Sequence, residues 1–191
     1  MTSTTAPINS DPAAIVRRLK EVTALSSSGL IHPTPMLATI EAIAIGCLDR
    51  PDAPQISITG DDALTLELDR TALAMLLGEL IANAAVHGRR PDGPCKLALH
   101  LRQGDDGAIW LDVRDSGPGM DDATAACYFR PFITTRRAEG HMGLGGYIVR
   151  SLARDALQGA ALLLREPGVA GTCVRVVFAR PSAWLALGSG G

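Results

Sequence analysis

The chain has 191 residues, of which 47% are hydrophobic, and 18 lysines and arginines against 20 aspartates and glutamates give it a net charge of −2. This length and apolar content predict one globular domain with a sizeable core. The near-neutral charge disfavours nucleic acid or an anionic membrane surface as a partner. No apolar run reaches the ~18 residues of a membrane span, and the amino terminus lacks a secretory signal. The four cysteines form no CxxC pair, so we expect reduced thiols in a cytoplasmic protein.

The first third of the chain predicts helices and two short strands. Residues 1–30 are predicted to form a polar tail and a short helix over 11–25, and the apolar pattern over 36–49 predicts a second helix. Apolar and polar residues then alternate in QISIT (55–59) and LTLEL (64–68), on either side of a GDDA turn. These two stretches predict a pair of strands.

The rest of the chain alternates helices with strand pairs. The longest helical pattern covers residues 70–88 and ends at a glycine, and a hairpin is predicted over 96–114. Residues 121–142 are predicted to be irregular, glycines open a helix over 143–157, and two strands follow within 160–179.

This order of elements predicts an α+β fold. We expect a two-layer α/β sandwich, in which a mostly antiparallel mixed sheet is covered on one face by helices. The predicted domain covers residues 31–181, preceded by the tail and short helix of residues 1–30 and followed by a tail over 182–191.

Three polar side chains interrupt the apolar pattern of the longest helix. Glu79, Asn83 and His87 follow one another at intervals of four, which places them on one helical face. A solvent-facing stripe would explain them equally well. In a ligand site, an asparagine carbonyl suits Mg²⁺, a carboxylate could orient or deprotonate a nucleophile, and an imidazole could donate to a phosphate.

The stretch DSGPGM (115–120) follows a predicted strand with one carboxylate and two glycines. A carboxylate only accepts hydrogen bonds, so Asp115 suits an exocyclic amino group such as that of adenine. Gly117 and Gly119 would let a flat base lie against the backbone. A tight turn alone would also explain this stretch, and DxGxG by itself is a common pattern.

Glycines gather again in HMGLGGYIV (141–149), where Gly143, Gly145 and Gly146 precede a helix. Backbone N–H groups in such a loop can bind phosphates, although a flexible helix start would have the same composition. The loop lacks the GK[ST] of a Walker motif, and the βαβ context of a dinucleotide-binding motif is also missing.

The long loop before these glycines has the composition of a lid. Phe129, Pro131 and Phe132 form a stiff apolar anchor. Hydrogen-bond donors and positive charge follow at Thr134, Thr135, Arg136 and Arg137. Such a loop favours closure over phosphates. Further on, Thr172 begins a strand from which it could support Asp115.

In this order, the motifs resemble the catalytic ATP-binding domain of sensor histidine kinases, from the superfamily that includes gyrase, heat-shock chaperone and mismatch-repair ATPases. The resemblance covers about residues 35–181. Its motifs are ELIANAAVHG as the N box, DSGPGM as the first glycine box, YFRPF with TTRR as the F box and its Thr-Thr-Lys, GLGGYIV as the second glycine box, and GTCVRVVF as the final box.

The resemblance implies ATP and Mg²⁺ as cofactors and transfer of the γ-phosphoryl to a histidine on a separate dimerisation domain, with a response regulator as a further partner. It implies that Asp115 binds the adenine amino group, that Asn83 holds Mg²⁺ and that Glu79 is the base or water-orienting group. The remaining implied nucleotide-binding residues are His87, Gly117, Gly119, Thr134, Thr135, Arg136, Gly143, Leu144, Gly145 and Thr172.

Three features depart from the family pattern. Many histidine kinases carry asparagine at the position of Glu79, and His141 stands where the second glycine box begins with glycine. We also find no phosphoacceptor box, so the chain is expected to be the catalytic portion of a larger kinase or a kinase acting in trans. The helix over 11–25 is then a remnant of a dimerisation helix or a packing helix. Two alternatives are an anti-sigma-factor-like serine kinase and a degenerate docking domain that does not use ATP.

Overall fold

The chain folds into a layer of strands and a layer of helices. In the computed structural model, the described residues fall in six segments: 31–48, 53–88, 93–105, 107–134, 141–165 and 169–178. The predicted helix over 11–25, the tail over 182–191 and the lid residues Thr135 and Arg136 lie outside these segments.

Most predicted elements are present. The strands are β1 (Ile31–Pro35), β2 (Gln55–Gly60), β3 (Thr65–Asp69), β4 (Lys96–Gln103), β5 (Ile109–Asp115), β6 (Ala160–Leu164) and β7 (Cys173–Phe178). The helices are α1 (Met36–Gly46), α2 (Arg70–His87), α3 (Asp122–Cys127) and α4 (Gly145–Ser151), with a π-helical segment (Leu152–Ala156) continuing α4. The three helices predicted after residue 30 and the last two strand pairs therefore form where the sequence placed them.

The main sheet has five strands in the order β2-β4-β5-β7-β6. β2 runs parallel to β4, whereas β4–β5, β5–β7 and β7–β6 are antiparallel. This mixed, mostly antiparallel sheet under helices confirms the predicted two-layer sandwich. β5 lies at the centre, so its carboxyl end, at Asp115, is enclosed by neighbouring strands on both sides.

The core lies between one face of the sheet and the helices. Leu97, Leu99 and Leu101 alternate along β4 and are each 1% exposed, and Leu76 and Leu77 of α2 are fully buried. Burying each such side chain contributes about 1.5 to 3 kcal/mol. The packing of these leucines therefore fixes the position of α2 on the sheet, and with it the positions of the polar side chains of α2.

The opposite face of the sheet carries a polar network centred on β5. Arg175 donates two hydrogen bonds to Asp112, at 2.6 and 2.8 Å. The Trp110 ring lies between the guanidinium groups of Arg102 and Arg175, which are 4.4 and 4.2 Å from its centroid.

In the part of the chain that the structure describes, no helix is long and apolar enough to cross a membrane.

The structure corrects the pairing expected for the first two predicted strands. β2 and β3 both form, but they do not pair around the GDDA turn, because β2 joins the main sheet beside β4 while β3 pairs antiparallel with β1. β1, which the sequence did not predict, contains Pro33 and Pro35. Proline cannot donate to a ladder and is tolerated at edges, so a two-stranded edge sheet accommodates it.

The loop over 121–142 is also less irregular than predicted, because it begins with the short helix α3. Asp121 caps this helix, since its carboxylate accepts a hydrogen bond from Thr124 N at 2.7 Å. The hydrogen bond from the Thr124 backbone is the first cause of the lowered pKa of the exposed Asp121 side chain, and the positive charge of Arg165 contributes to it. The cap is a local signal that the sequence analysis overlooked.

Candidate functional site

Asp115, the last residue of β5, is held by backbone groups on two sides. Its Oδ1 accepts hydrogen bonds from Gly117 N at 2.8 Å and from Thr172 N at 3.1 Å. Asp115 N donates in turn to the Thr172 carbonyl at 2.9 Å. Neither of the bonds to the carboxylate uses Oδ2, so one oxygen fixes the side chain and the other is presented to the surroundings.

The backbone packs around this carboxylate at distances that only glycine permits. A Cβ on Gly117 would lie 2.7 Å from Gly88 Cα and 2.9 Å from Asp115 Oδ1. Gly171 has φ of 93°, and a Cβ there would collide with the Asp115 carbonyl. The glycines therefore bring the end of α2, the turn after β5 and the start of β7 together around Asp115.

The three polar residues of α2 pass from the core to the surface along the helix. Glu79 is 8% exposed, Asn83 is half-buried and His87, the last residue of the helix, is exposed. The interpretation as a simple solvent stripe therefore does not account for Glu79. Asn83 and His87 are the residues of this row that reach the outside of the core.

Asn83 lies against the first turn of α4. A Cβ on Gly145 would be 2.6 Å from Asn83 Oδ1 and 2.9 Å from its Nδ2. Asn83 and Gly145 are 62 residues apart in the sequence. The helix of the N box and the second glycine box are therefore in direct contact. Among the described residues, no cluster of three or more His, Cys, Asp or Glu side chains could hold a metal ion.

The start of the second glycine box also packs against the lid. Gly143 has φ of 67°, and a Cβ there would collide with the backbone of Ile133. His141, two residues earlier, brings its ring to 6.4 Å from that of His87, between centroids. Thr134 of the lid is half-buried. Thr135 and Arg136, which the sequence also predicts to bind phosphates, lie outside the described residues.

The sequence analysis missed Tyr128, which follows α3 and reaches the same place. Burial raises the pKa of Tyr128 to about 12, and the nearby Asn83 side chain opposes this rise. The charges of Asp115 and Glu79 contribute to this rise. The phenol therefore lies within electrostatic reach of three predicted site residues. The available signal was its hydroxyl, the one polar group among the aromatic side chains of YFRPF.

Comparison with known proteins identifies the family. A sequence model of the histidine kinase-, DNA gyrase B- and HSP90-like ATPases matches residues 68–182, which is more than half of the chain. This match confirms the resemblance carried by the five motifs. It begins within β3 and includes every residue of the site described above.

Two relatives are bacterial sensor proteins. The C4-dicarboxylate transport sensor protein DctB of Pseudomonas aeruginosa is 31% identical over 134 residues, which cover 64% of this chain and 20% of that protein. The sensor protein BasS of Escherichia coli is 34% identical over 91 residues, which cover 48% of this chain and 24% of that protein. The chain thus spans a quarter or less of these relatives' length.

Solved histidine kinase structures share the fold. The mycobacterial sensor histidine kinase MprB superposes with a TM-score of 0.65 at 22% identity, covering 78% of this chain and 96% of that one. The catalytic domain of histidine kinase ThkA gives a TM-score of 0.65 at 19% identity, covering 78% and 94%. At these identities the superpositions establish the common architecture.

Proposed function

Because the chain belongs to the histidine kinase-, DNA gyrase B- and HSP90-like ATPase family, we propose that it is the ATP-binding catalytic domain of a two-component sensor histidine kinase. It binds ATP with Mg²⁺ in the cytoplasm and transfers the γ-phosphoryl to a histidine on a helical dimerisation domain. The phosphoryl group then passes to a response regulator.

The arrangement of Asp115 carries the proposal. Two backbone N–H groups hold Oδ1, at 2.8 and 3.1 Å, and this fixes the direction in which Oδ2 points. A preorganised acceptor suits the exocyclic amino group of adenine, because guanine carries at that position a carbonyl oxygen, which can only accept hydrogen bonds. Gly117 leaves no side chain between the carboxylate and the base.

The triphosphate and its cation would lie between α2 and the second glycine box. Asn83 Oδ1 is the hard oxygen that Mg²⁺ prefers, and Mg²⁺ commonly takes only one or two protein ligands besides phosphate oxygens and water. When bound, the ion neutralises charge on the transferring group. The backbone at Gly143, Leu144 and Gly145, with His87, would contact the phosphate oxygens, and Thr134, Thr135 and Arg136 would do so from the lid.

Glu79 would act on the incoming nucleophile. It is 8% exposed and lies one helical turn before Asn83, so we expect its carboxylate to approach the site from the core side of α2. A carboxylate there can accept the proton of an attacking imidazole or orient it. Positioning and charge neutralisation supply most of the catalysis in phosphoryl transfer, and these are the two roles that we assign to the residues of this site.

The acceptor histidine would belong to another domain. His32 lies in β1 and His100 in β4, whereas His87 and His141 border the candidate nucleotide site. The aligned relatives are sensor proteins several times longer than the matched region. This supports a partner domain in the same or another polypeptide.

The test is incubation with labelled ATP and Mg²⁺, with and without a dimerisation fragment from a sensor kinase, and separately with a candidate anti-anti-sigma protein. We expect label on histidine of the dimerisation fragment, which is stable to alkali and labile to acid. Label on serine of the second partner would support the anti-sigma-like alternative instead. Absence of ATP binding by calorimetry, with or without Mg²⁺, would leave only the docking alternative.

A further inference from the structure

We propose that the outer face of the main sheet is a second interaction surface, which binds an extended acidic segment of a partner protein. Along β5, Ile109, Leu111 and Val113 are buried in the core between the sheet and the helices. Asp115 continues this row, whereas Trp110 alternates with it and lies on the opposite face. The proposed surface is therefore separated from the candidate nucleotide site by the sheet itself, and it does not depend on the proposed function.

The outer face carries an excess of positive charge. Among the outward-facing residues of the five strands, the charged ones are the cations Lys96, Arg102, Arg114 and Arg175 and the carboxylate Asp112. Four cations and one carboxylate give this face a net charge of +3, whereas the whole chain has a net charge of −2. A face whose charge is opposite in sign to that of its chain attracts acidic partners by electrostatic complementarity.

Trp110 forms the centre of this basic face. A guanidinium group lies over its ring from each neighbouring strand, that of Arg102 at 4.4 Å and that of Arg175 at 4.2 Å from the centroid. Arg175 is held further by its two hydrogen bonds to Asp112. Because both arginines are already fixed in position, a partner that binds them loses little side-chain entropy. Tryptophan and arginine are also enriched among the residues that dominate the energy of protein–protein interfaces.

Apolar side chains lie beside the charged ones. Leu162 of the edge strand β6 is paired in register with Arg175 and is 47% exposed, and Val177 is paired with Trp110. Alternate side chains of an extended segment lie about 7 Å apart on the same side. This spacing is similar to that of two guanidinium groups on opposite faces of one ring, so carboxylates at alternate positions of an extended segment match Arg102 and Arg175.

The same arrangement disfavours a nucleic acid as the partner. Single strands are bound without sequence preference by stacking of their bases on aromatic rings. Both faces of Trp110 are covered by guanidinium groups, which leaves no face of the ring for a base. The basic face therefore favours an acidic protein segment.

The test measures tryptophan fluorescence in the full chain. The sequence has two tryptophans, so in a Trp184→Phe background the signal reports on Trp110 alone. The probe is a peptide of about twelve residues in which glutamate alternates with threonine, and the control peptide has glutamine in place of every glutamate. We expect a saturable change with the glutamate peptide, weakened by added salt, and none with the glutamine peptide. Equal binding of the two peptides, or no saturable binding up to about 1 mM, would overturn the inference.

Charge reversals locate the binding surface. Arg102→Glu should weaken binding of the glutamate peptide by about tenfold or more, because it replaces attraction by repulsion beside Trp110. Lys96→Glu changes an exposed side chain of the same face and should weaken binding by about two- to fivefold. The matched control is Arg150→Glu, the same change of charge at an exposed residue of α4, which should leave binding unchanged. An equal loss in Arg150→Glu would reduce the effect to net charge and overturn the inference.

Urea denaturation shows whether these variants are folded, and if Arg102→Glu is not, Lys96→Glu decides. Two other occupants of the face are tested directly. Binding of an oligothymidylate at least as tight as that of the glutamate peptide would indicate a general polyanion site. A dimer of the chain in sedimentation experiments, dissociated by either reversal on the basic face, would make a second copy the occupant. Either result would overturn the choice of an acidic protein segment.

ATP binding separates this inference from the proposed function. Arg102→Glu should leave the affinity for ATP unchanged, because the two sites lie on opposite faces of the sheet. If the wild type binds the glutamate peptide but no ATP, the basic face stands and the proposed function is wrong. If it binds ATP but not the peptide, the proposed function stands and the interaction surface is wrong.

Discussion

Asp115 Oδ1 accepts a hydrogen bond from Thr172 N at 3.1 Å, across 57 residues of sequence. The bond joins the end of β5 to the start of β7, and Gly171 makes it possible because any side chain there would collide with the Asp115 carbonyl. The contact is made by the backbone of Thr172, the residue that the sequence suggested as a support for Asp115. Oδ1 of Asp115 thus holds the backbone together, whereas Oδ2 is left to accept a hydrogen bond from a ligand.

Asp115→Asn separates the two roles of this carboxylate. The asparagine carbonyl can keep both backbone hydrogen bonds, while its NH₂ replaces Oδ2 and faces the adenine amino group with a donor. We expect the affinity for ATP to fall by at least about 100-fold, because two hydrogen-bond donors, the new NH₂ and the adenine amino group, then face each other in the site. The free energy of unfolding should change by less than about 1 kcal/mol. Calorimetry and urea denaturation measure the two quantities.

The control for this variant is Asp112→Asn, three residues earlier on the same strand. Asp112 pairs with Arg175 on the outer face of the sheet, at 2.6 and 2.8 Å, so its loss should lower stability without lowering ATP affinity. If both variants lose affinity equally, distortion of β5 explains the effect and the adenine-binding role of Asp115 is contradicted.

Gly145→Ala should damage the cation site without unfolding the protein. The new Cβ would lie 2.6 Å from Asn83 Oδ1, and the end of the asparagine side chain is the group that can move away. We expect Mg²⁺-dependent ATP affinity to fall by about tenfold or more, because the Asn83 amide is displaced from its position. A tenfold loss corresponds to the free energy of about one charge-assisted hydrogen bond. Nucleotide titrations in Mg²⁺ and in EDTA would show whether the loss is confined to the metal-dependent part.

Gly78→Ala is the matched variant within α2. A Cβ on Gly78 would meet nothing within 4 Å, and alanine is the better helix former. We expect it to raise the free energy of unfolding by about 0.5 to 1 kcal/mol and to leave nucleotide binding unchanged. A loss of affinity in Gly78→Ala would mean that any change in α2 disturbs the site, and the Gly145→Ala result would then carry no meaning for Asn83.

The features that the sequence predicted are those with a local cause. α2 follows from a long apolar helical pattern over residues 70–88, and the β4–β5 hairpin follows from alternation on either side of a glycine turn. The role proposed for Asp115 also has a local signal, because a carboxylate, a strand end and two glycines are adjacent in the chain. Periodicity and turn chemistry act over a few residues, and they were sufficient for these elements.

The features that the sequence did not predict depend on distant partners. β1 and β3 pair Ile31 with Asp69, and nothing in either short segment specifies the other. The packing of Tyr128 against Gly146 in the first turn of α4 also joins distant residues, and an apolar anchor motif does not show against which element it packs. Burial of Glu79 is likewise decided by packing, because helical spacing alone places it on the same face as His87.

Asp69 provides a stability test at the start of α2. Its Oδ1 accepts hydrogen bonds from Thr71 N at 2.8 Å and Ala72 N at 3.2 Å, so it is the amino-terminal cap of this helix. We expect Asp69→Ala to lower the free energy of unfolding by about 1 to 2 kcal/mol, as measured by urea denaturation. Asp69→Ser should recover most of this loss, because serine keeps one capping oxygen and removes Oδ2, which is buried without a hydrogen-bond partner. Equal losses in the two variants would show that the cap contributes little.

The pKa of Tyr128 predicts how stability depends on alkaline pH. Burial raises this pKa to about 12 in the folded protein, against about 10 in an unfolded chain. The unfolded state therefore ionises first as the pH rises, and the stability that the neutral phenol contributes is intact below pH ~10 and is lost progressively up to pH ~12. The difference in unfolding free energy between wild type and Tyr128→Phe should accordingly shift by about 1.4 kcal/mol between pH 9 and 11, to the disadvantage of the wild type.

The raised pKa of the buried Cys95 thiol acts in both proteins and cancels in the difference. Tyr147→Phe should run parallel to the wild type over this range, and a parallel course for Tyr128→Phe would show that the phenol is not buried as described.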